Sequence, residues 1–160
     1  LLAVRAVVRR ELDALTKRVM VLAGESRACR ILVRCPGIGP VTALAYASVI
    51  DDPARFARSS SAGAYLGLTS RRYQSGEIDR AGRISKCGDA MVRSLLYEAA
   101  HVLLTRVTRW SPLKAWGMRL MKRVGAKKAK VAVARKMAVI LHRMWMEEAD
   151  FRWSNKEVAA

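Results

Sequence analysis

Along most of this 160-residue chain the apolar residues recur three or four positions apart, broken by glycine and proline. That period is the signature of helices with one buried face, so the chain can fold only as a mostly α-helical protein. The clearest stripe is the first: Leu1, Val4, Val8, Leu12, Leu15, Val19 and Leu22, with charges between them. It predicts a helix to about Ala23, ended by Gly24, and suits a coiled-coil seam or one helix of a bundle. At about three heptads it is marginal alone. A short helix follows from Ser26 to Arg34, then helices over 41–50 and 59–66. Asp89 opens a helix of about 18 residues, Ser111-Pro112 caps the next, and Gly125 divides that from a last one, about Ala126–Glu148. From Leu68 to Lys86 the period is lost, and the segment reads as an exposed basic loop or loose β-hairpin. The expected division is a coiled-coil-like helix (1–25), a helical domain (26–150) and a tail (151–160).

Hydrophobic residues make up 52% of the chain, enough for a core, but the formal charge is +17. Such a charge opposes compaction unless an anion lies beside it, and nucleic acid is the usual one. No apolar run of about 18 residues is present, so no spanning helix is expected. Charges interrupt the first 23 residues, so they are not expected to be a secretory leader, whose apolar region would be continuous. Cys29, Cys35 and Cys87 form neither a disulfide framework nor a metal-ligand pair, and read as buried or partly buried thiols of a cytoplasmic protein. The chain opens at Leu1, already inside a helical pattern, and is expected to be a fragment of something longer.

Three constellations carry candidate chemistry. Pro36-Gly37-Ile38-Gly39-Pro40 joins two helices in the manner of a helix-hairpin-helix element. Gly37 and Gly39 would let a phosphate approach the next helix's free N–H groups; the alternative is an ordinary helix–helix turn. The second is Arg71, Arg72, Ser75-Gly76, Arg80, Arg83 and Lys86. A serine is a weak nucleophile unless its proton is removed and the developing charge is held. Guanidinium forks match phosphate oxygens two at a time, and Gly76 admits a DNA backbone. Tyr73 is the competing nucleophile, and a solvated turn is the competing reading. The third is the stretch from Arg106 to Arg143, with twelve Lys/Arg and no acid. A solvated face mixes signs, so Lys127, Lys128, Lys130, Arg135 and Lys136 are assigned to a nucleic-acid surface. Trp116 and Trp145 fall on apolar stripes and read as core. His101 and His142 read as packed or surface histidines, and the acids as caps, turns or ion pairs. No metal ligands are assigned in this chain.

Three stretches, in this order, are similar to one known family: Cys35-Pro36-Gly37-Ile38-Gly39-Pro40-Val41-Thr42-Ala43; Ala64-Tyr65-Leu66-Gly67-Leu68-Thr69 with Ser75-Gly76; and Gly82-Arg83-Ile84-Ser85-Lys86-Cys87-Gly88-Asp89 running into Arg93-Ser94-Leu95-Leu96. With them, residues 30–145 resemble the C-terminal transposase domain of the IS-one-ten and IS-eleven-eleven insertion-sequence recombinases. The resemblance implies a bacterial DNA transposase with Ser75 as the nucleophile, joined transiently to DNA as a phosphoserine. It implies Mg²⁺ held by a DEDD carboxylate set on a RuvC-like N-terminal domain absent from this chain, a structured guide RNA as second polyanion, and a dimer or tetramer. The alternative is a non-catalytic nucleic-acid-binding remnant. Ser70 and Cys87 depart from the residues common in the family, proline and a basic residue.

Overall fold

The computed structural model describes residues 1–75 and 78–154, with side chains described outside residues 72–81. The chain is mostly α-helical. The elements are α1 (Leu2–Glu25), α2 (Arg27–Leu32), α3 (Pro40–Ile50), a 3-10 turn (Pro53–Arg55), α4 (Ser60–Tyr65), strands β1 (Ser70–Ser75) and β2 (Ile78–Ile84), α5 (Ala90–Thr105), α6 (Pro112–Val124) and α7 (Ala126–Glu147). The caps form where short polar side chains precede the stripes: Ser26, Asp89 and Ser111 accept from the backbone N–H of Cys29, Val92 and Lys114. Gly24 does not end α1, which runs on to Glu25.

The organising element is α7. It packs against α5 and α6 along its length and also touches α4, α2 and the 3-10 turn. Val133, Ala134, Met137, Ala138 and Leu141 lie on its buried side, facing a core that includes Leu96 and Leu103 of α5 and Tyr46 of α3. Gly117 lets α6 come close, since a Cβ there would sit 2.7 Å from Leu104 and 2.8 Å from Val133. Two polar groups are drawn into this core and satisfied. The Tyr46 hydroxyl donates to the Ala138 carbonyl at 2.7 Å. His142 contacts the Pro53 carbonyl through Nε2 (2.9 Å) and the Ser59 hydroxyl through Nδ1 (3.1 Å). A carbonyl only accepts, so Nε2 carries a proton, and the ring ties the 3-10 turn to α7.

Two expectations need correction. The stretch after Asp150, which lacks a period, is not simply a tail: Phe151 is buried and stacks edge-on with Trp153. The cysteines also divide differently, with Cys29 and Cys35 buried and Cys87 exposed. Cys87 emerges because the chain leaves β2 there and has not yet entered α5. Burial pushes the Cys35 thiol up to about 12. Only the thiolate reacts with alkylating agents. In the folded protein near pH 8, about one thiol is therefore expected to be modified, at Cys87, and all three after unfolding. Peptide mapping that finds Cys35 modified in the native state would contradict this packing.

Helix α1 stands apart from the rest. Its C-terminal end meets α2 and α3, while Val4, Val8, Leu12, Leu15 and Leu22 of its stripe are all more than half exposed.

Candidate functional site

The basic segment forms a two-stranded antiparallel hairpin, β1 against β2, in the register Ser70↔Ile84, Arg72↔Ala81, Tyr73↔Arg80, Gln74↔Asp79 and Ser75↔Ile78, with an irregularity between Ser70 and Arg72. Ser75 is the last residue of β1. At about 3.4 Å per residue it lies roughly 17 Å along the strand from Ser70. Gly76 falls outside the described residues. Arg72 and Arg80 are placed by register alone.

The root of this hairpin is built from backbone. Ser85 N–H donates to the Thr69 carbonyl at 2.8 Å, and Lys86 N–H to the Gly67 carbonyl at 3.1 Å. Gly67 (φ +68°) and Gly88 (φ +76°) face main chain across the root: a Cβ on Gly67 would lie 2.1 Å from the Cys87 carbonyl oxygen, and one on Gly88 would lie 2.2 Å from that of Tyr65. Glycine is required at both places, by sign of φ and by space. Arg93, in the first turn of α5, points Nη1 at the carbonyls of Cys87 (3.1 Å), Leu66 (3.2 Å) and Asp89 (3.3 Å). One guanidinium thus ties together the segments before β1 and after β2. Arg93 was visible in the sequence only as part of a motif. Its signal was a basic residue four positions after a helix-capping aspartate.

The cations of this region divide by use. Arg71 is exposed and donates to the Ser85 carbonyl at 3.0 Å, so it braces the root while keeping other donors. Arg83 and Lys86 are exposed. Lys130 of α7 sits 5.5 Å from the Tyr97 ring centre, and Tyr97 shares a shallow groove with Leu68, Ile84, Arg93 and Val131. The start of α7, with exposed Lys127 and Lys128, is therefore carried to the side of the hairpin root. Arg135 turns toward α4, its Cγ 3.2 Å from a Cβ built on Gly63, while Lys136 lies 4.6 Å over the Trp116 ring against α6.

The glycine turn does not join this site. Gly37 packs on the middle of α5, where a Cβ would lie 2.6 Å from the Ala99 carbonyl oxygen. That is about nine residues, roughly 14 Å, along α5 from the end that carries the hairpin. Its missing side chain makes room for a helix. Gly39 caps α3, and a Cβ there would meet nothing within 4 Å. Five of the described acids have structural partners. Asp52 caps the 3-10 turn and Asp89 caps α5; Glu147 pairs with Arg143, Glu148 with Arg27, and Asp150 with Arg34. Among the described residues no group of three or more His, Cys, Asp or Glu is placed to hold a metal ion.

The stretch containing the glycine turn, the hairpin and α5 is also the stretch that matches a known family. The family described as Transposase IS116/IS110/IS902 matches residues 29–115, more than half of the chain. The chain belongs to this transposase family. It is 34% identical over 125 residues to the transposase for insertion sequence element IS1111A of Coxiella burnetii, covering 78% of this chain and 34% of that protein. It is 33% identical over 130 residues to a probable family 20 transposase of Pseudomonas aeruginosa, covering 81% and 38%. It is 34% identical over 120 residues to the transposase for insertion sequence element IS1328 of Yersinia enterocolitica, covering 74% and 36%. The chain thus spans about a third of the length of the curated relatives it matches. Among the described residues no helix is long and apolar enough to cross a membrane.

Proposed function

We propose that this chain is the DNA-holding, serine-bearing part of a transposase that recombines DNA through a transient phosphoserine link. The observation that carries the reading is the hairpin: Ser75 ends β1, away from a root fixed by Gly67, Gly88 and Arg93 and flanked by Arg71, Arg83 and Lys86. In the proposed step the Ser75 hydroxyl oxygen attacks the phosphorus of a DNA phosphodiester. A Ser–O–P bond forms and the bond from phosphorus to the departing sugar oxygen breaks. The hydroxyl proton ends on that sugar oxygen. Attack by the hydroxyl of another strand reverses the step and rejoins DNA without loss of bond energy. Arg80 and Arg72, two and three register positions from Ser75, hold the phosphate oxygens where charge grows in the transition state, while Arg71 and Arg83 at the root meet neighbouring phosphates, and Gly76 admits the backbone. Gly37 and Gly39 can at most meet a second phosphate further along the molecule.

Among the described carboxylates, Asp52, Asp89, Glu147, Glu148 and Asp150 serve as caps and ion pairs. The carboxylates that hold Mg²⁺ are assigned to a separate domain. The cations of α7 turn to different sides, Arg135 to α4 and Lys136 to α6, and this suits a second polyanion such as a structured guide RNA. The exposed stripe of α1 suits pairing with another copy, giving a homo-oligomer.

The deciding experiment incubates the chain with DNA carrying the element's ends, in the presence of the metal-binding domain and guide RNA. Trapping a covalent protein–DNA product that depends on Ser75 supports the reading, and one that depends on Tyr73 removes it. A second measurement tests the surface. Duplex affinity is expected to fall about a thousandfold between roughly 50 and 200 mM salt, as six or more phosphates are neutralised. A flat salt response would contradict the assignment of these cations to nucleic acid.

A further inference from the structure

At the far end of α5 from the hairpin, the chain turns through Arg106–Ser111 into α6, and two tryptophans meet there. Trp110 is 61% exposed. With Trp153 it lines a groove of about 410 Å³, together with Ser111, Pro112, Ala115 and Arg119. Cations surround the rings: the Arg109 guanidinium lies 4.2 Å over Trp153, and the Lys114 ammonium lies 5.6 Å from Trp110 while donating to the Val107 carbonyl. Arg119 is exposed at the groove's edge.

An indole so exposed forgoes the burial that Trp116 and Trp145 obtain against the core. The cations beside it disfavour an apolar or basic protein surface as its cover. They favour an anion that also brings a flat ring. A nucleotide has both, in its phosphate and its base, and aromatic rings in a positive groove are a general means of holding single strands. In a duplex the base faces are already stacked on one another and cannot be presented to an indole. α5 is about 24 Å long, so this groove is separate from the hairpin at its other end.

We propose that the Trp110–Trp153 groove holds an unpaired base of a single DNA strand, with Trp110 as the stacking platform and Arg109, Lys114 and Arg119 attracting the adjoining phosphates. The proposal rests on the reading that the chain handles DNA, and goes beyond it by naming a second site with a different preference. The rings distinguish single strand from duplex, which the cations alone do not.

The test uses fluorescence anisotropy with labelled oligo(dT), oligo(rU) and a duplex, on the wild-type chain and on Trp110→Ala and Trp110→Phe. Trp110→Ala is expected to weaken oligo(dT) binding about tenfold, and Trp110→Phe to recover most of it. Duplex affinity and the salt slope should stay unchanged, because no charge is removed. Trp110 is exposed, and an unchanged thermal melt checks that the fold is intact. Unchanged oligo(dT) affinity in Trp110→Ala overturns the proposal, as does an equal loss on duplex. Oligo(rU) binding tenfold tighter than oligo(dT) overturns the assignment to DNA. Wild-type protein that binds no duplex at all rejects the underlying DNA-handling reading instead.

Discussion

Ser75→Ala protein is expected to form no covalent DNA adduct, with strand exchange falling about 10⁴-fold or more, while Tyr73→Phe retains both. The magnitude follows from the role. A side chain that supplies the attacking atom has no substitute, whereas one that steadies charge can be replaced in part by its neighbours. Arg80→Ala, two register positions from Ser75, is accordingly expected to lose about a hundredfold, in the range seen when one stabilising donor is removed. Duplex affinity should barely move in Ser75→Ala, since a neutral hydroxyl contributes little to a binding surface dominated by cations. The assay is trapping of protein-linked labelled DNA on a denaturing gel, run beside a binding titration. Adduct formation that persists in Ser75→Ala would falsify the assignment. Loss of adduct together with loss of binding would mean that the substitution had disturbed the hairpin and not the chemistry.

Gly88→Ala is expected to cost at least about 3 kcal/mol of stability, a large fraction of what holds a domain of this size together. Two causes add. The residue has φ +76°, and the new methyl group would be driven to 2.2 Å from the Tyr65 carbonyl oxygen. The methyl cannot turn away and the obstructing atom is backbone, so relief requires the segment before β1 to move. Gly67→Ala should behave alike, against the Cys87 carbonyl. Gly24→Ala is the contrasting control: it lies inside α1 with nothing within 4 Å of the added carbon. It should gain up to about 1 kcal/mol from helix propensity. Urea unfolding read by circular dichroism checks the three together. A Gly88→Ala midpoint equal to wild type would show that the root is not the rigid mount described above.

The helices were legible wherever a stripe and a cap coincided. Asp89 with Val92, Leu96 and Leu103, and Ser111 with Pro112, marked α5 and α6 closely, because a capping side chain and a buried face are both local in sequence. The hairpin could be seen only as a loss of helical period. Its anchoring could not be seen at all, since Gly67 meets Cys87 and Gly88 meets Tyr65 across some twenty residues of chain. Gly37 was ambiguous for the same reason. A glycine that admits a phosphate and one that admits a neighbouring helix look identical until the helix is in place. Phe151 escaped because a single buried aromatic has no period. Charge, by contrast, was legible as a total and not as a direction: twelve cations in one stretch implied a polyanion, but not that Arg135 and Lys136, adjacent in sequence, turn to α4 and to α6.

The described grip on the hairpin is taken largely by carbonyl oxygens, amide hydrogens and two absent side chains, with Arg93 reaching in from α5. Peptide units are the same whatever residues carry them. Residues along the outer part of the arm, Ser75 and Gly76 apart, can therefore change without disturbing its seat. Divergent copies would keep a common mount for a variable arm.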